Sequence, residues 1–352
     1  MIDSQSESSA LFSLKNYQFD LPQDLIAQKP SEPKDACRLM VVERKSGTIT
    51  EVPFFEISNL VKKGDSFIAN ESRVICARLL GRKTTGARIE ALLVEKKEKD
   101  LWLALTKPAS KLKIGSQIIF EGGLEAEVVA EVSDGEKLLH FLCPDSDALI
   151  EKVGHMPLPP YIRGGQDTLE DRLFYQTVFA KVSGSIAAPT AGLHFTDALL
   201  EKVKTRGVSW HTIVLHVGLG TFLPIRTDDI RQHKMHSESY FIPQSVADAV
   251  NNRSKENLQI FVGTTTLRTL ESSVDSSEKV QPGAGSTSLF IYPGYNFKCT
   301  QSLLTNFHLP GSSLFVLVSA FLAPDLAQEV YRKAIEKRFA FYSYGDAMLC
   351  LP

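Results

Sequence analysis

RIEALLVEKKEKDLWLALTKPASKLKIGSQIIF, residues 88–120, is the stretch that decides the fold. Ile89–Val94, Leu101–Leu105 and Gln117–Phe120 are short runs in which apolar and polar side chains largely alternate. A repeat of two puts successive side chains on opposite faces of an extended chain, so each run reads as a half-buried strand. Outward from it, Ala126–Val132 and Leu138–Leu142 repeat the pattern, and Gly81, Gly86, Gly115, Gly122–Gly123 and Gly135 punctuate it. Strands this short and evenly spaced predict a small antiparallel barrel or sandwich over 73–143.

The flanks have another texture. Leu39–Val42, Phe67–Ala69, Trp210–Val217, Gln259–Val262, Ser288–Tyr292 and Phe339–Tyr344 read as strands. Helices are expected from the Thr196 cap through Lys204 with Gly207 as stop, and over 244–252, 267–274, 313–322 and 325–337. Asp275–Ser286, rich in Ser, Gly and Pro, reads as a loop or lid. The expected architecture is α/β: a main α/β domain (1–72 and 144–352) interrupted by an inserted small all-β domain (73–143), a barrel or sandwich.

The 352 residues suffice for two such domains. With 39 Lys and Arg against 41 Asp and Glu, the net charge is −2, and no global basic excess marks a non-specific nucleic-acid binder. Any RNA contact must come from a local patch, for which Lys83, Lys96, Lys97, Lys99, Lys107, Lys111 and Lys113 on the barrel are the raw material. Five scattered cysteines, never spaced as CxxC, point to a reducing compartment. The polar N-terminus carries no secretory pattern, and Leu314–Ala323 is about half the length needed to span a bilayer, so a cytoplasmic protein without membrane attachment is expected.

Candidate chemistry gathers in the C-terminal part. Five of eight histidines fall between His194 and His236. Gly184–Thr196 (GSIAAPTAGLHFT) packs small residues around His194, which allows close backbone approach to a ligand. In Leu215–Thr221 (LHVGLGT), His216 ends a strand just before a glycine loop, where open α/β sheets bind ligands. His233, His236 and Glu238 follow in HKMHSE. These residues could act as general bases, as hydrogen-bonding groups or, with His194 and His216, as metal ligands. Gly263–Glu271 (GTTTLRTLE) opens a helix after a strand, and its hydroxyls, free amides and Arg268 suit an anion. Thr305–Pro310 (TNFHLP) and Tyr344–Asp346 complete six polar clusters at strand-to-loop junctions.

These segments, in this order, resemble the S-adenosylmethionine:tRNA ribosyltransferase-isomerase family of queuosine biosynthesis. The matching stretches are Leu21–Gln28, Asn70–Gly81, Met156–Ile162, Tyr175–Thr177, Ala187–Phe195, Leu215–Phe222, His233–Glu238, Gly263–Glu271, Phe290–Gly294, Thr305–Pro310 and Ser343–Met348, covering the chain from about residue 14 to its end. The sequence departs from the family pattern at Phe174, where Arg is usual, and at Gly311, where Lys is common, which puts one or two anionic contacts in doubt. Ser313, Cys37 and Cys76 are milder departures.

The resemblance implies an α/β domain with an inserted β-barrel. It implies transfer of the ribosyl unit of S-adenosylmethionine to the aminomethyl group of a 7-deazaguanine at the tRNA wobble position. The ribose becomes an epoxycyclopentanediol, and adenine and methionine leave. The partners are then tRNA carrying the 7-aminomethyl-7-deazaguanine precursor and S-adenosylmethionine, a cosubstrate consumed rather than a permanent cofactor. A monomer is expected.

Such a reaction needs a base for a ribose hydrogen made acidic by the sulfonium, and a neutral attacking amine. His216, His236 and Glu238 are the expected proton-handling group, with His194 and His308 as acids or orienting groups and no metal. Arg268, Thr264 and Thr265 are candidates for the methionine carboxylate, and Asp346 for its ammonium or a ribose hydroxyl. Thr190, Gly192, Gly218, Thr221 and Asn306 complete the expected S-adenosylmethionine contacts. Tyr161, Tyr175 and Phe222 are expected to stack on bases, with Arg163 and Gln176 beside them. Two rival readings are a metal-dependent hydrolase using His216, His233, His236 and Glu238, and a non-catalytic RNA-binding protein.

Overall fold

A computed structural model describes residues 11–133, 135–218 and 224–352. β1 (Arg38–Glu43), β2 (Ile49–Pro53), β3 (Ser66–Asn70) and β4 (Ser72–Val74) come first. β5 (Arg78–Lys83), β6 (Arg88–Glu98), β7 (Leu101–Lys107), β8 (Gln117–Phe120), β9 (Glu125–Ser133) and β10 (Glu136–Phe141) follow. Then come β11 (Val182–Ser185), β12 (Ser209–Leu215), β13 (Glu238–Ile242), β14 (Gln259–Val262), β15 (Gly283–Thr287), β16 (Ser302–Asn306) and β17 (Ala347–Leu351).

The chain divides into two compact units. One comprises 73–176 and 183–188. Its core is a closed barrel in the order β10-β7-β6-β5-β8-β9, every pairing antiparallel. The alternation read from the sequence is the wall of this barrel. Trp102, Ala104 and Thr106 on β7, and Ile118 and Phe120 on β8, are buried, while their neighbours face outward. The unit runs past the barrel strands to Gln176 and includes the helix Ser146–Val153, capped by the Asp145 side chain.

The other unit comprises residues to 72, 177–182 and 189–352. It is built on a nine-stranded mixed sheet in the order β15-β13-β12-β3-β14-β16-β17-β1-β2. β12, β3, β14 and β16 run parallel to one another. β13 is antiparallel to β12, and β17 is antiparallel to β16. Ser66–Asn70 and Gln259–Val262 are wholly buried, as expected for parallel strands covered on both faces. Phe54, Phe67, Phe195, Leu199, Val203 and Val262 form the core on one side. The helix Asp197–Thr205 begins where Thr196 Oγ1 accepts the Leu199 amide at 3.2 Å. Leu314–Ala323 falls in a buried helix, Ser313–Leu322, and among the described residues no single helix is long and apolar enough to cross a membrane.

Three local expectations differ from the structure. Ser288–Tyr292 is not a strand; its edge partner is instead β15, in the stretch read as a loop. Gly-Ala-Gly-Ser-Thr carries no apolar alternation, and Gly285 is there for room. A side chain on it would stand 2.6 Å from the Tyr240 ring. Phe339–Tyr344 is also not a strand, because Phe339 and Phe341 insert into an aromatic cluster with Phe307 and Tyr331 rather than line a ladder. The chain turns back there, and the strand is the following Ala347–Leu351. The helix expected over 267–274 starts earlier, at Thr264.

Candidate active site at one edge of the sheet

Strand directions alone bring the polar clusters together. β3, β12, β14 and β16 are parallel, so Asn70, Leu215, Val262 and Asn306 all end at the same edge of the sheet. β13 and β17 run the other way, so their first residues, Glu238 and Ala347, reach that edge too. Ligands bind outside the carboxyl ends of strands in such sheets. The site is therefore a consequence of topology: His216, Glu238, Gly263–Thr265, Asn306 and Asp346 arrive from five separate segments.

Asn70 anchors the first of them. Its Nδ2 donates to the Leu215 carbonyl at 2.9 Å and its Oδ1 accepts the Leu215 amide at 3.0 Å, extending the β3–β12 ladder by a side chain. His216 follows, its backbone amide donating to Ser239 O at 3.0 Å. The His216 Nδ1 is buried and has no hydrogen-bond partner among the described residues. Burial lowers its pKa, so the ring is neutral at pH 7.

Glu238 is held at both oxygens. Oε1 accepts the Gly218 amide at 3.0 Å, and Oε2 accepts Arg268 Nη1 at 2.7 Å, with both side chains almost wholly buried. Arg268 Nε also donates to Leu289 O at 2.9 Å. The third arm, Nη2, is buried without a partner among the described residues. A buried guanidinium N–H left unpaired is costly, so it is expected where a ligand completes the set. Thr265 Oγ1 is a second buried, unpartnered group. It lies one turn before Arg268, in a helix whose N-cap, Gly263, has φ 89° and offers no side-chain cap. Thr264 is buried beside it.

His194 and Asn306 form a second knot. Asn306 Nδ2 donates to His194 Nε2 at 2.9 Å and to Tyr342 O at 3.1 Å, and its Oδ1 accepts Thr190 Oγ1 at 2.9 Å. With Nε2 accepting, the proton of a neutral ring sits on Nδ1, 3.3 Å from Cys37 Sγ. Burial, aided by Lys34, pushes His194 down to about 3. His308 is pushed down to about 3 by burial alone, with Nε2 at 2.8 Å from Thr305 Oγ1. Both rings are neutral and enclosed, which suits orienting groups better than proton shuttles. Gly192 packs closely enough that a side chain would meet the Phe179 ring at 2.6 Å.

Asp346 accepts the Arg38 amide at 2.8 Å and the Ala340 amide at 2.7 Å, which ties the chain reversal before β17 to β1. Burial raises its pKa. His236 is exposed, and His233 is half-buried with its ring centroid 5.1 Å from that of Phe290. Thr221 and Phe222 lie outside the described residues.

The remaining RNA candidates belong to the other unit. Tyr161 is half-buried. Arg163 pairs with buried Asp171. Tyr175 is fully buried and presents no ring face to a base. Gln176 bonds the Val74 amide and carbonyl at 3.1 and 2.6 Å. Tyr175 and Gln176 hold this unit together rather than offer a nucleic-acid contact.

Sequence reading missed Glu271. Its buried carboxylate accepts from Lys298, Cys299 and Thr300 amides and the Tyr295 and Thr300 hydroxyls, fixing the loop before β16. The partners lie 24 to 29 residues away, so no local pattern announces them. Cys37 was read only as a departure, yet it is the neighbour of His194. Among the described residues no group of three or more His, Cys, Asp or Glu side chains is placed to hold a metal ion, which leaves the hydrolase reading without a site.

Such a sheet edge, with a neutral histidine and a buried ion pair at the carboxyl ends of parallel strands, is the position at which α/β enzymes bind their substrates. The family model described as queuosine biosynthesis protein matches residues 14–350. Proteins named S-adenosylmethionine:tRNA ribosyltransferase-isomerase from Symbiobacterium thermophilum and Thermotoga maritima are 47% and 46% identical to this chain, each covering 96% of it and 99% of the relative. A crystal structure of S-adenosylmethionine tRNA ribosyltransferase from Thermotoga maritima matches with TM-score 0.55 and 37% identity, covering 96% of this chain and 100% of that one. The chain belongs to this family, the S-adenosylmethionine:tRNA ribosyltransferase-isomerases of queuosine biosynthesis.

Proposed function

We propose that the protein transfers and isomerises the ribosyl moiety of S-adenosylmethionine onto the 7-aminomethyl-7-deazaguanine base at the tRNA wobble position, giving epoxyqueuosine-tRNA and releasing adenine and methionine. The observation that carries this reading is relatedness along nearly the whole chain to proteins bearing that name. Incubation with S-adenosylmethionine and precursor-containing tRNA tests it by release of adenine and methionine. Release of S-adenosylhomocysteine instead would mark a methyltransferase and overturn it.

In this reading S-adenosylmethionine is a consumed cosubstrate. His216 removes the ribose hydrogen made acidic by the sulfonium: it is neutral, and its Nδ1 is free to accept. Arg268 Nη2 and Thr265 Oγ1 take the methionine carboxylate, with Thr264 alongside. Glu238 aims and neutralises Arg268 rather than acting as a free base. Asn306, Thr190 and His194 hold the loop around Gly192 in place. Asp346 holds the chain reversal beside the site and is the carboxylate nearest in kind to a partner for the ammonium or a ribose hydroxyl.

His236 is exposed two residues before Glu238, and we assign to it the second proton, that of the attacking amine. His236→Ala is expected to lower turnover roughly tenfold or more; undiminished turnover removes it from the group.

The pH profile follows from the His216 shift. The base form is the active one, and burial lowers the pKa, so activity persists as pH falls through the ordinary histidine value of about 6.5 and is lost only below it. The check is the acid limb of kcat/KM; a limb at or above the ordinary value contradicts His216 as the base.

A further inference from the structure

The lysines of the barrel divide into two groups that the sequence did not separate. β5 and β6 join through 84–87, β7 ends at Lys107, and the 108–116 connection leads into β8. Register places these at one end of the barrel: Arg82 faces Arg88, Lys83 faces Ile118, and Glu90 faces Lys107. The Lys83 Nζ donates to Lys111 O at 3.2 Å across the same end. Arg82, Lys83, Arg88, Lys107, Lys111 and Lys113 therefore share one mouth. None of the six forms an ion pair among the described residues, and all but half-buried Lys83 are exposed.

The carboxylates described at that mouth already have partners. Glu90 pairs with Arg78, Glu131 with Lys137, and Glu136 accepts the Ser133 hydroxyl at 2.6 Å. The other end is compensated: Lys96 pairs with Asp147 and Lys97 with Glu95, and Glu98 and Asp100 stand beside Lys99 in sequence. The outward positions of β9 include Glu125 and Glu127, which repel an anion from that wall.

We infer that the barrel mouth formed by 82–88 and 107–113 binds the phosphate backbone of the tRNA substrate, and that the opposite end does not. This rests on the reading of the chain as a tRNA-modifying enzyme. Six cations against the three described carboxylates Glu90, Glu131 and Glu136, in a protein of net charge −2, leave a local positive field, which is what a polyanion needs to dock without a global basic excess. The Thr84 and Thr85 hydroxyls on the hairpin turn can donate to phosphate oxygens. Exposed Ile114 gives the mouth an apolar contact for a sugar or base.

The test compares wild type with Arg88→Gln/Lys107→Gln/Lys111→Gln/Lys113→Gln and with the opposite-end control Lys96→Gln/Lys97→Gln/Lys99→Gln. Affinity for full-length precursor tRNA is titrated at several salt concentrations, and adenine release is followed in parallel. The mouth variant is expected to bind roughly tenfold or more weakly, with a salt slope shallower by about 1 for each phosphate contact removed. Its kcat at saturating tRNA and its KM for S-adenosylmethionine stay at wild-type values, and the control variant binds normally. Unchanged affinity and slope in the mouth variant overturn the inference, as does equal weakening of the control. A single Lys107→Glu variant gives the same reading should the quadruple variant fail to fold. An active wild type with an unaffected mouth variant sinks only this inference, whereas a wild type that releases no adenine sinks the reading beneath it.

Discussion

His216→Gln is expected to lower kcat by about a hundred- to ten-thousand-fold, the range that a positioned general base supplies. Glutamine keeps a polar group at the end of β12 but cannot take up a proton at neutral pH. The backbone amide of residue 216 stays bonded to Ser239 O, and Asn70 still fixes Leu215, so the fold has no reason to change. The Nδ1 of the native ring has no partner to lose, and stability should therefore move little. Three measurements check this: kcat, KM for S-adenosylmethionine and the thermal midpoint. A large loss in kcat with KM and midpoint preserved identifies a proton-transfer role. A variant that retains more than about a tenth of wild-type turnover excludes His216 as the base.

The second large effect concerns stability. Arg268→Met leaves the buried Glu238 carboxylate without its counter-charge, and breaking a buried pair in this way costs about 3–5 kcal/mol. Glu238→Gln strands the guanidinium in turn. The double variant Arg268→Met/Glu238→Gln removes both charges and should regain much of the loss, because the penalty lies in the unpaired partner rather than in a missing attraction. Activity should not return with it, since Nη2 is gone. Denaturant unfolding of the three variants and their KM for S-adenosylmethionine separate the two contributions. If Arg268→Met has the stability of the wild type, the pair is not the buried element described.

The barrel was legible because its signal is local: a repeat of two, broken by glycines, needs no knowledge of the rest of the chain. The buried parallel strands at Phe67–Ala69 and Gln259–Val262 were legible as apolar runs. Two strands were misplaced where local pattern and tertiary need conflict. Phe339–Tyr344 has strand-like composition, yet its rings are claimed by the aromatic cluster around Tyr331, and the ladder forms one step later. β15 has almost no apolar content, because it must lie under Tyr240.

At the site, residue types were readable but partnerships were not. Glu238 and Arg268 are 30 residues apart, and Asn306 and His194 are 112 apart. Nothing in either segment says that Glu238 would be engaged at both oxygens, and so would aim a guanidinium, or that His194 would be sealed in neutral form. Tyr175 failed as a base-stacking candidate for a similar reason: an aromatic in a motif carries no mark of whether its face is open.

The closed barrel has a consequence for how such an enzyme can change over time. A ring of six strands satisfies its own backbone hydrogen bonds and leaves no edge wanting a neighbour. Its outward side chains answer to little besides solvent and whatever docks there. Charges can be gained or lost around its mouth without disturbing Asn70, Glu238 or Arg268, which sit in a separate sheet. On the roles proposed above for barrel mouth and sheet edge, binding strength and chemistry are then separable: substitutions at one leave the other as it is.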